Sequence, residues 1–309
     1  MHRREDRHRP ADRCAPLTPD PETPMPTTTE TAPAKINLAL HVRHRRADGY
    51  HELETLFAFA EHGDVVTVRI ADADSFAIIG PFAAALRPAA GGAGAAPWDG
   101  NLVTAAADAF VATFGIAAHH AITLDKRLPI ASGIGGGSAD AAATLRALAR
   151  LHGVAVQDPA LHDIAARLGA DVPACLVNRT TFGTGRGDTL VAVDGLAETP
   201  LLCVNPGVAV STAAVFGAWD GIDRGPLGAG PLLERAIAGR NDLEAPAWAI
   251  APEIARVRAL LDAAPGVLLA RMSGSGATCF ALFDSIAARD SAAADAAAQG
   301  WWTLACTLR

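Results

Sequence analysis

Tyrosine occurs once in these 309 residues and methionine three times. All aromatics together make up 5% of the chain, so aromatic stacking surfaces are scarce. A basic surplus is missing too, because the formal charge is −7. Nucleic-acid binders usually carry a basic footprint, so that class starts at a disadvantage. The five cysteines, Cys14, Cys175, Cys203, Cys279 and Cys306, contain no CxxC pair. That excludes a zinc knuckle and a disulfide framework, and it fits a reducing, cytoplasmic setting. No apolar run reaches the roughly 18 residues that a membrane span needs. The ten histidines show no metal spacing, and no segment repeats.

What is there is ordinary globular material. Half of the residues are hydrophobic and 19% are charged. The length suits about two domains. Residues 1–24 hold five arginines and five acids with no apolar period and no hydrophobic h-region. They read as neither a secretory signal nor a transit peptide, and a disordered extension is expected over 1–30. Two domains are expected after it, over 31–197 and 198–309.

Along 33–42, Ile36, Leu38, Leu40 and Val42 alternate with Lys35, Asn37, Ala39 and His41. This predicts a strand with one polar face, on which Lys35 and Asn37 point the same way. A turn follows at Asp48-Gly49. Strands are predicted over 64–70 and 121–128, a mobile Ala/Gly/Pro-rich loop over 84–100, and a helix over 101–114. Helices follow from Ser138 and over 159–168, with Pro173 limiting how far the second can run. From about 198 the pattern changes to strands over 199–207, 266–272, 277–283 and 301–307, with helices over 252–264 and 285–299. This second half reads as an α+β sandwich.

Between strand 121–128 and the helix after it lie Gly133, Gly135, Gly136 and Gly137, ending at Ser138, the predicted N-cap. Glycines let backbone N–H groups approach an anion closely. A helix start adds unpaired donors and partial positive charge. Together these make a phosphate cradle. A flexible turn is the plainer reading, and the strong helix signal that follows favours the cradle. Two familiar phosphate motifs fail. No lysine follows Gly137 as GxxxxGK[ST] requires, and the sixth position of GxGxxG is Ser138.

Three segments, PAKINLAL at 33–40, IASGIGGGSADAAATL at 130–145 and RMSGSGATCF at 271–280, resemble the galactokinase, homoserine kinase, mevalonate kinase and phosphomevalonate kinase superfamily. A narrower likeness is to its branch acting on cytidylylated methylerythritol. It is carried by 32–57 with its DGYHEL, by NLV at 101–103, LGADVP at 168–173 and NPGVAVSTAAVF at 205–216. The likeness covers about residues 32–283. It implies a two-domain α+β small-molecule kinase fold. The N-terminal α/β nucleotide domain would be like ribosomal protein S5, and the C-terminal α+β domain ferredoxin-like. The implied activity moves the ATP γ-phosphate to the 2-hydroxyl of the substrate, in the non-mevalonate route to isoprenoids. The alternative is another alcohol kinase of the superfamily, acting on homoserine or mevalonate. Two positions depart from the branch: Ala139 stands where a second serine is usual, and Ile134 replaces leucine.

The same resemblance assigns roles. Asp171 matches the catalytic base and Lys35 the catalytic lysine, with Asn37 beside it as a substrate contact. Pro129, Ile130, Ala131, Ser132, Gly133, Ile134, Gly135, Gly136, Gly137, Ser138 and Ala139 would wrap the ATP phosphates. Asn101, Leu102 and Val103 match positions near the adenine, though Asn101 also reads as a helix cap. Tyr50 would stack on the cytosine with Phe216 on its other side, a pairing that homoserine and mevalonate would not use. His51 would reach the base edge through its backbone, and Thr212 the diphosphate or sugar. Magnesium is implied with ATP. Asp140 and Ser138 are candidate ligands, Asp140 equally a partner for the helix dipole. The expected partner is the small molecule alone, without nucleic acid or membrane, for a monomer or weak homodimer.

Overall fold

The computed structural model describes residues 25–86 and 100–309. The tail over 1–24, with Cys14, and most of the expected loop at 84–100 lie outside them. Two expectations are corrected at the edges. Strand β1, Thr27–Arg45, begins inside the stretch expected to be disordered, because Thr27 to Pro33 pair with Arg69 to Gly63 of the next strand. The expected loop begins inside a helical turn, α1, Ala83–Leu86.

The first half continues with β2 (His51–Ala71), β3 (Ser75–Ile79), α1, α2 (Leu102–Phe114) and β4 (His119–Asp125). Helices α3 (Gly136–Leu151), α4 (Pro159–Leu168) and α5 (Val172–Val177) follow, then β5 (Thr181–Gly185) and β6 (Thr189–Ala192). The second half holds β7 (Pro200–Asn205), α6 (Thr212–Gly217), α7 (Leu232–Ala238), α8 (Glu244–Ile250) and α9 (Glu253–Asp262). It closes with β8 (Val267–Met272), β9 (Cys279–Phe283), α10 (Ile286–Ala298) and β10 (Trp302–Thr307). The first sheet runs β3-β4-β2-β5-β6, with β1 paired along β2. The second runs β10-β7-β9-β8 and is antiparallel throughout. With α10 linking β9 to β10 and helices linking β7 to β8, that order is ferredoxin-like.

Side-chain alternation explains how the layers stack. On β2, Phe57 and Phe59 join the core under α2 to α5, while Leu56, Ala58 and Ala60 face the second sheet. On β7, Leu201 and Cys203 meet that same inter-sheet core, and Leu202 and Val204 pack under α8 to α10. Both sheets are therefore covered on both faces, in the order helices, sheet, sheet, helices. Burying apolar surface on each side contributes on the order of 25 cal/mol per Å².

This two-sided cover corrects the expected polar face of β1. Its burial is continuous from Ala32 to Val42. A register shift between Asn37 and Ala39 puts Ala39 in the inter-sheet core with Leu38. His41 is buried as well; its Nε2 accepts from the Arg240 N–H, and desolvation lowers its pKa below the ordinary value. Strands β3, β5 and β6 were not predicted. They span five, five and four residues, too short for a clear period, and they exist through pairing: β3 with β4, β5 with β2, and β6 with β5.

Candidate active site

Lys35 and Asn37 sit on the face of β1 opposite Ala34 and Ile36, so they turn toward the helix layer. They are 4% and 2% exposed. A buried ammonium needs a partner, and α5 supplies it. Pro173 was expected to limit a helix; instead it occupies the first turn of a new one, where its missing N–H costs nothing. Asp171 stands just before that turn and its side chain makes no cap bond. Its Oδ2 accepts from Lys35 Nζ at 2.9 Å. The carboxylate is 37% exposed and the ammonium 4%, so the pair presents its acid to solvent. Lys35 Nζ also lies 5.0 Å from the Phe57 ring centroid, a cation–π contact.

The glycine loop reaches the same place. Gly135, not Ser138, is the N-cap of α3, in left-handed conformation with φ 66°. Ser138 is therefore in the first turn. A glycine cap brings no side chain to occupy the helix start, so the N–H groups of Gly136, Gly137 and Ser138 have no acceptor from the helix. A Cβ on Gly135 would meet the Lys35 side chain at 3.2 Å, and one on Gly137 would meet nothing closer than Leu102 at 3.7 Å.

The loop's first half is spent on the protein. Lys35 N–H donates to the Ile134 carbonyl at 2.9 Å, and Thr278 N–H to the Ser132 carbonyl at 3.0 Å. Ser273 Oγ donates to the Gly133 carbonyl at 3.0 Å, and Ser132 Oγ to the Pro129 carbonyl at 2.7 Å. Of the eleven residues expected to wrap phosphates, the open face belongs to Gly135 through Ser138. Ala139 and Ile134, the two departures from the branch, are buried in the core. A hydroxyl at 139 would point inward, away from the cradle.

Asp140 is not placed for metal or dipole. Lys126 Nζ donates to Asp64 Oδ2 at 2.5 Å and to Asp140 Oδ2 at 2.7 Å, all three buried beneath the first turn of α3. Asp64 Oδ1 also accepts the N–H groups of Arg127 and Leu128. Two carboxylates share one ammonium, and Asp140 Oδ1 has no partner. Desolvation pushes the Asp140 carboxyl from 3.8 to about 8, against the pull of Lys126. The folded state then binds a proton that the unfolded state releases, so this group's contribution is full below about pH 4 and is lost as pH rises through about 8. Asp140→Asn is expected to flatten the fall in urea stability between about pH 5 and pH 8. Parallel falls in both proteins would mean that Asp140 is ionised throughout.

The remaining predicted residues divide. Asn101 is a cap: its Oδ1 accepts from Val103 N–H at 2.9 Å. Val103 is buried in the core, while Leu102 faces the glycine turn. Asn37 Nδ2 donates to Thr55 Oγ1 at 2.9 Å, and Asn37 Oδ1 is buried without a partner. Thr212 Oγ1 lies 2.9 Å from Ser275 Oγ, which brings α6 to the β8–β9 loop. Phe216 and Tyr50 each have a neighbour not foreseen. The Phe216 ring centroid is 4.9 Å from that of His51, and the Arg186 guanidinium is 5.1 Å from the exposed Tyr50 ring. Trp219, edge-on to His51 at 5.7 Å, was missed. Its position three residues after Phe216 was the available signal.

Comparison with known proteins bears on family and fold. The family model for the GHMP kinases N terminal domain matches residues 101–179, and that for the GHMP kinases C terminal matches 227–302. A 4-diphosphocytidyl-2-C-methyl-D-erythritol kinase of Rhizorhabdus wittichii is 58% identical over 285 residues, 91% of this chain and 94% of that one. A crystal structure of 4-(cytidine 5'-diphospho)-2C-methyl-D-erythritol kinase superposes with a TM-score of 0.75 at 34% identity, over 91% of this chain and 98% of that one. The Methanococcus jannaschii mevalonate kinase, at 11% identity and a TM-score of 0.66 over 94% of this chain and all of its own, shares the fold.

Proposed function

The chain belongs to the GHMP kinases, in the 4-diphosphocytidyl-2-C-methyl-D-erythritol kinase family, and on that premise we propose how its residues carry the transfer. The enzyme uses ATP to phosphorylate the 2-hydroxyl of 4-diphosphocytidyl-2-C-methyl-D-erythritol in isoprenoid synthesis. The observation that carries the mechanism is the Lys35–Asp171 pair at 2.9 Å beside the open turn of α3.

A hydroxyl is a poor nucleophile at neutral pH, and phosphoryl transfer needs mainly positioning, charge stabilisation and a proton acceptor. Asp171 takes the hydroxyl proton at its exposed carboxylate. Lys35 orients that carboxylate and stabilises charge gathering on the transferred group. The free N–H groups of Gly136, Gly137 and Ser138 hold the phosphates, aided by the dipole of a sixteen-residue helix. Asn37, beside Lys35 on β1, is the proposed substrate contact of that strand. Tyr50 and Phe216 take the cytosine, with His51 and Thr212 at its edge and diphosphate. Leu102, with Asn101 holding the end of α2, borders the adenine.

The donor set fits magnesium through one hard oxygen. The Ser138 hydroxyl, in the first turn of α3, has no hydrogen-bond partner among the described residues. Asp140 does not fit, being tied to Lys126. When bound with ATP, magnesium neutralises phosphate charge, and few protein ligands are needed for it. Among the described residues no helix is long and apolar enough to cross a membrane, and four cysteines are buried and unpaired. Those free thiols support a reducing, cytoplasmic setting.

A coupled ADP-release assay tests the reading, with mevalonate and homoserine run beside the cytidylyl substrate. Turnover is expected on the cytidylyl substrate alone. Turnover on either other alcohol, without it, would discard the roles of Tyr50 and Phe216.

A further inference from the structure

Helix α3 carries a buried cation that the chemistry above leaves unused. Arg146 is 7% exposed, and its guanidinium bridges two other elements. Nη1 donates to the Cys175 carbonyl of α5 at 2.7 Å, and Nη2 to the Thr31 carbonyl of β1 at 2.8 Å. Nε lies 3.2 Å from Glu30 Oε2. Both carbonyls belong to the elements that carry the reacting pair. Thr31 precedes Lys35 on the same strand. Cys175 lies one turn after Asp171, and its N–H donates to the Asp171 carbonyl at 3.1 Å.

Helix α5 has only six residues. A helix this short has little stability of its own and takes its place from tertiary contacts. Burying a guanidinium is costly unless its donors are satisfied, so the cation is held where those carbonyls are. Its planar fork sets two donors at a fixed spacing, which a lysine cannot reproduce. Lys35 and Asp171 themselves belong to separate segments, β1 and the residue before α5, and meet through their side chains.

We infer that Arg146 is a positioning residue: it sets the spacing of α5 against β1 and so keeps the Asp171 carboxylate on the Lys35 ammonium. The inference rests on the roles proposed above for that pair. A displacement of about 1 Å in such a pair can cost on the order of 100-fold in rate.

The test is a double-mutant cycle in the full chain, with kcat and both KM values read for Arg146→Met, Lys35→Ala and the combination. Arg146→Met is expected to lower kcat roughly 10- to 100-fold with both KM values nearly unchanged. In the Lys35→Ala background it is expected to add less than about twofold, because residues acting as a unit are not additive. Glu30→Gln keeps both carbonyl bonds and is expected to keep kcat. Arg146→Lys is expected to fall between Arg146 and Met, and it carries the cycle if the Met variant does not fold. Equal slowing by the Arg146 variant in both backgrounds, or no slowing in either, would overturn the inference. If Lys35→Ala alone leaves kcat intact, the pair itself is misread, and that shows without any Arg146 variant.

Discussion

Asp171→Asn is expected to lower kcat by roughly 10²- to 10⁴-fold, the usual worth of a positioned proton acceptor. The amide keeps the carboxylate's shape and can still face Lys35, but it cannot take the hydroxyl proton. KM for ATP is expected to change little, because the proposed phosphate site is the α3 turn rather than Asp171. Stability is expected to shift by only about 1 kcal/mol, since the carboxylate is partly exposed. Lys35→Ala is expected to bring a comparable loss in kcat, and the double variant is expected to be little worse than either single one. Steady-state kinetics on all three proteins decide it. A multiplicative double variant would separate the two residues into independent roles.

Gly133→Ala is expected to have the second large effect. Gly133 has φ +76°, and a Cβ there would stand 2.4 Å from the Ser273 carbonyl oxygen and 2.7 Å from that of Gly276. Both obstacles are backbone, and neither can rotate aside. The left-handed conformation adds about 1–2 kcal/mol for an alanine. The glycine loop must then part from the β8–β9 loop, breaking the Ser273 and Thr278 bonds that dock it. A loss of about 3 kcal/mol or more is expected in urea unfolding, with ATP KM raised at least about tenfold. Gly137→Ala is the contrast. Its Cβ finds no protein atom nearer than 3.7 Å, and alanine raises helix propensity by up to about 1 kcal/mol. That variant is expected to fold at least as well, so any rise in its ATP KM reports crowding of the ligand. Equal stability of the two variants would mean that the loop docking is loose.

The local motifs were legible because their physics is local. Four glycines between 133 and 137 followed by a helix-forming run announce a strand, a tight turn and a helix, whatever packs around them. The Gly135 cap was misread as Ser138 because a left-handed turn needs no capping side chain to signal it. The restart of the chain at α5 was hidden for a similar reason: a proline that reads as a helix stop can equally stand in the first turn of a new helix. Asp140 looked like a ligand because only the fold brings Lys126 and Asp64 under it.

Kinase family, reaction and substrate class were determined by the sequence itself, since they rest on several ordered motifs spread along the chain. The period-two pattern of β1 likewise marked a strand. Only the tertiary structure decided which groups are free to act. It spent half of the glycine loop on docking, buried both faces of β1, joined Lys35 to Asp171 across two elements, and set Arg146 between them. Each of those outcomes depends on contacts between residues far apart in the chain. Burial and pairing at long range are properties of the packed whole, and no local pattern encodes them.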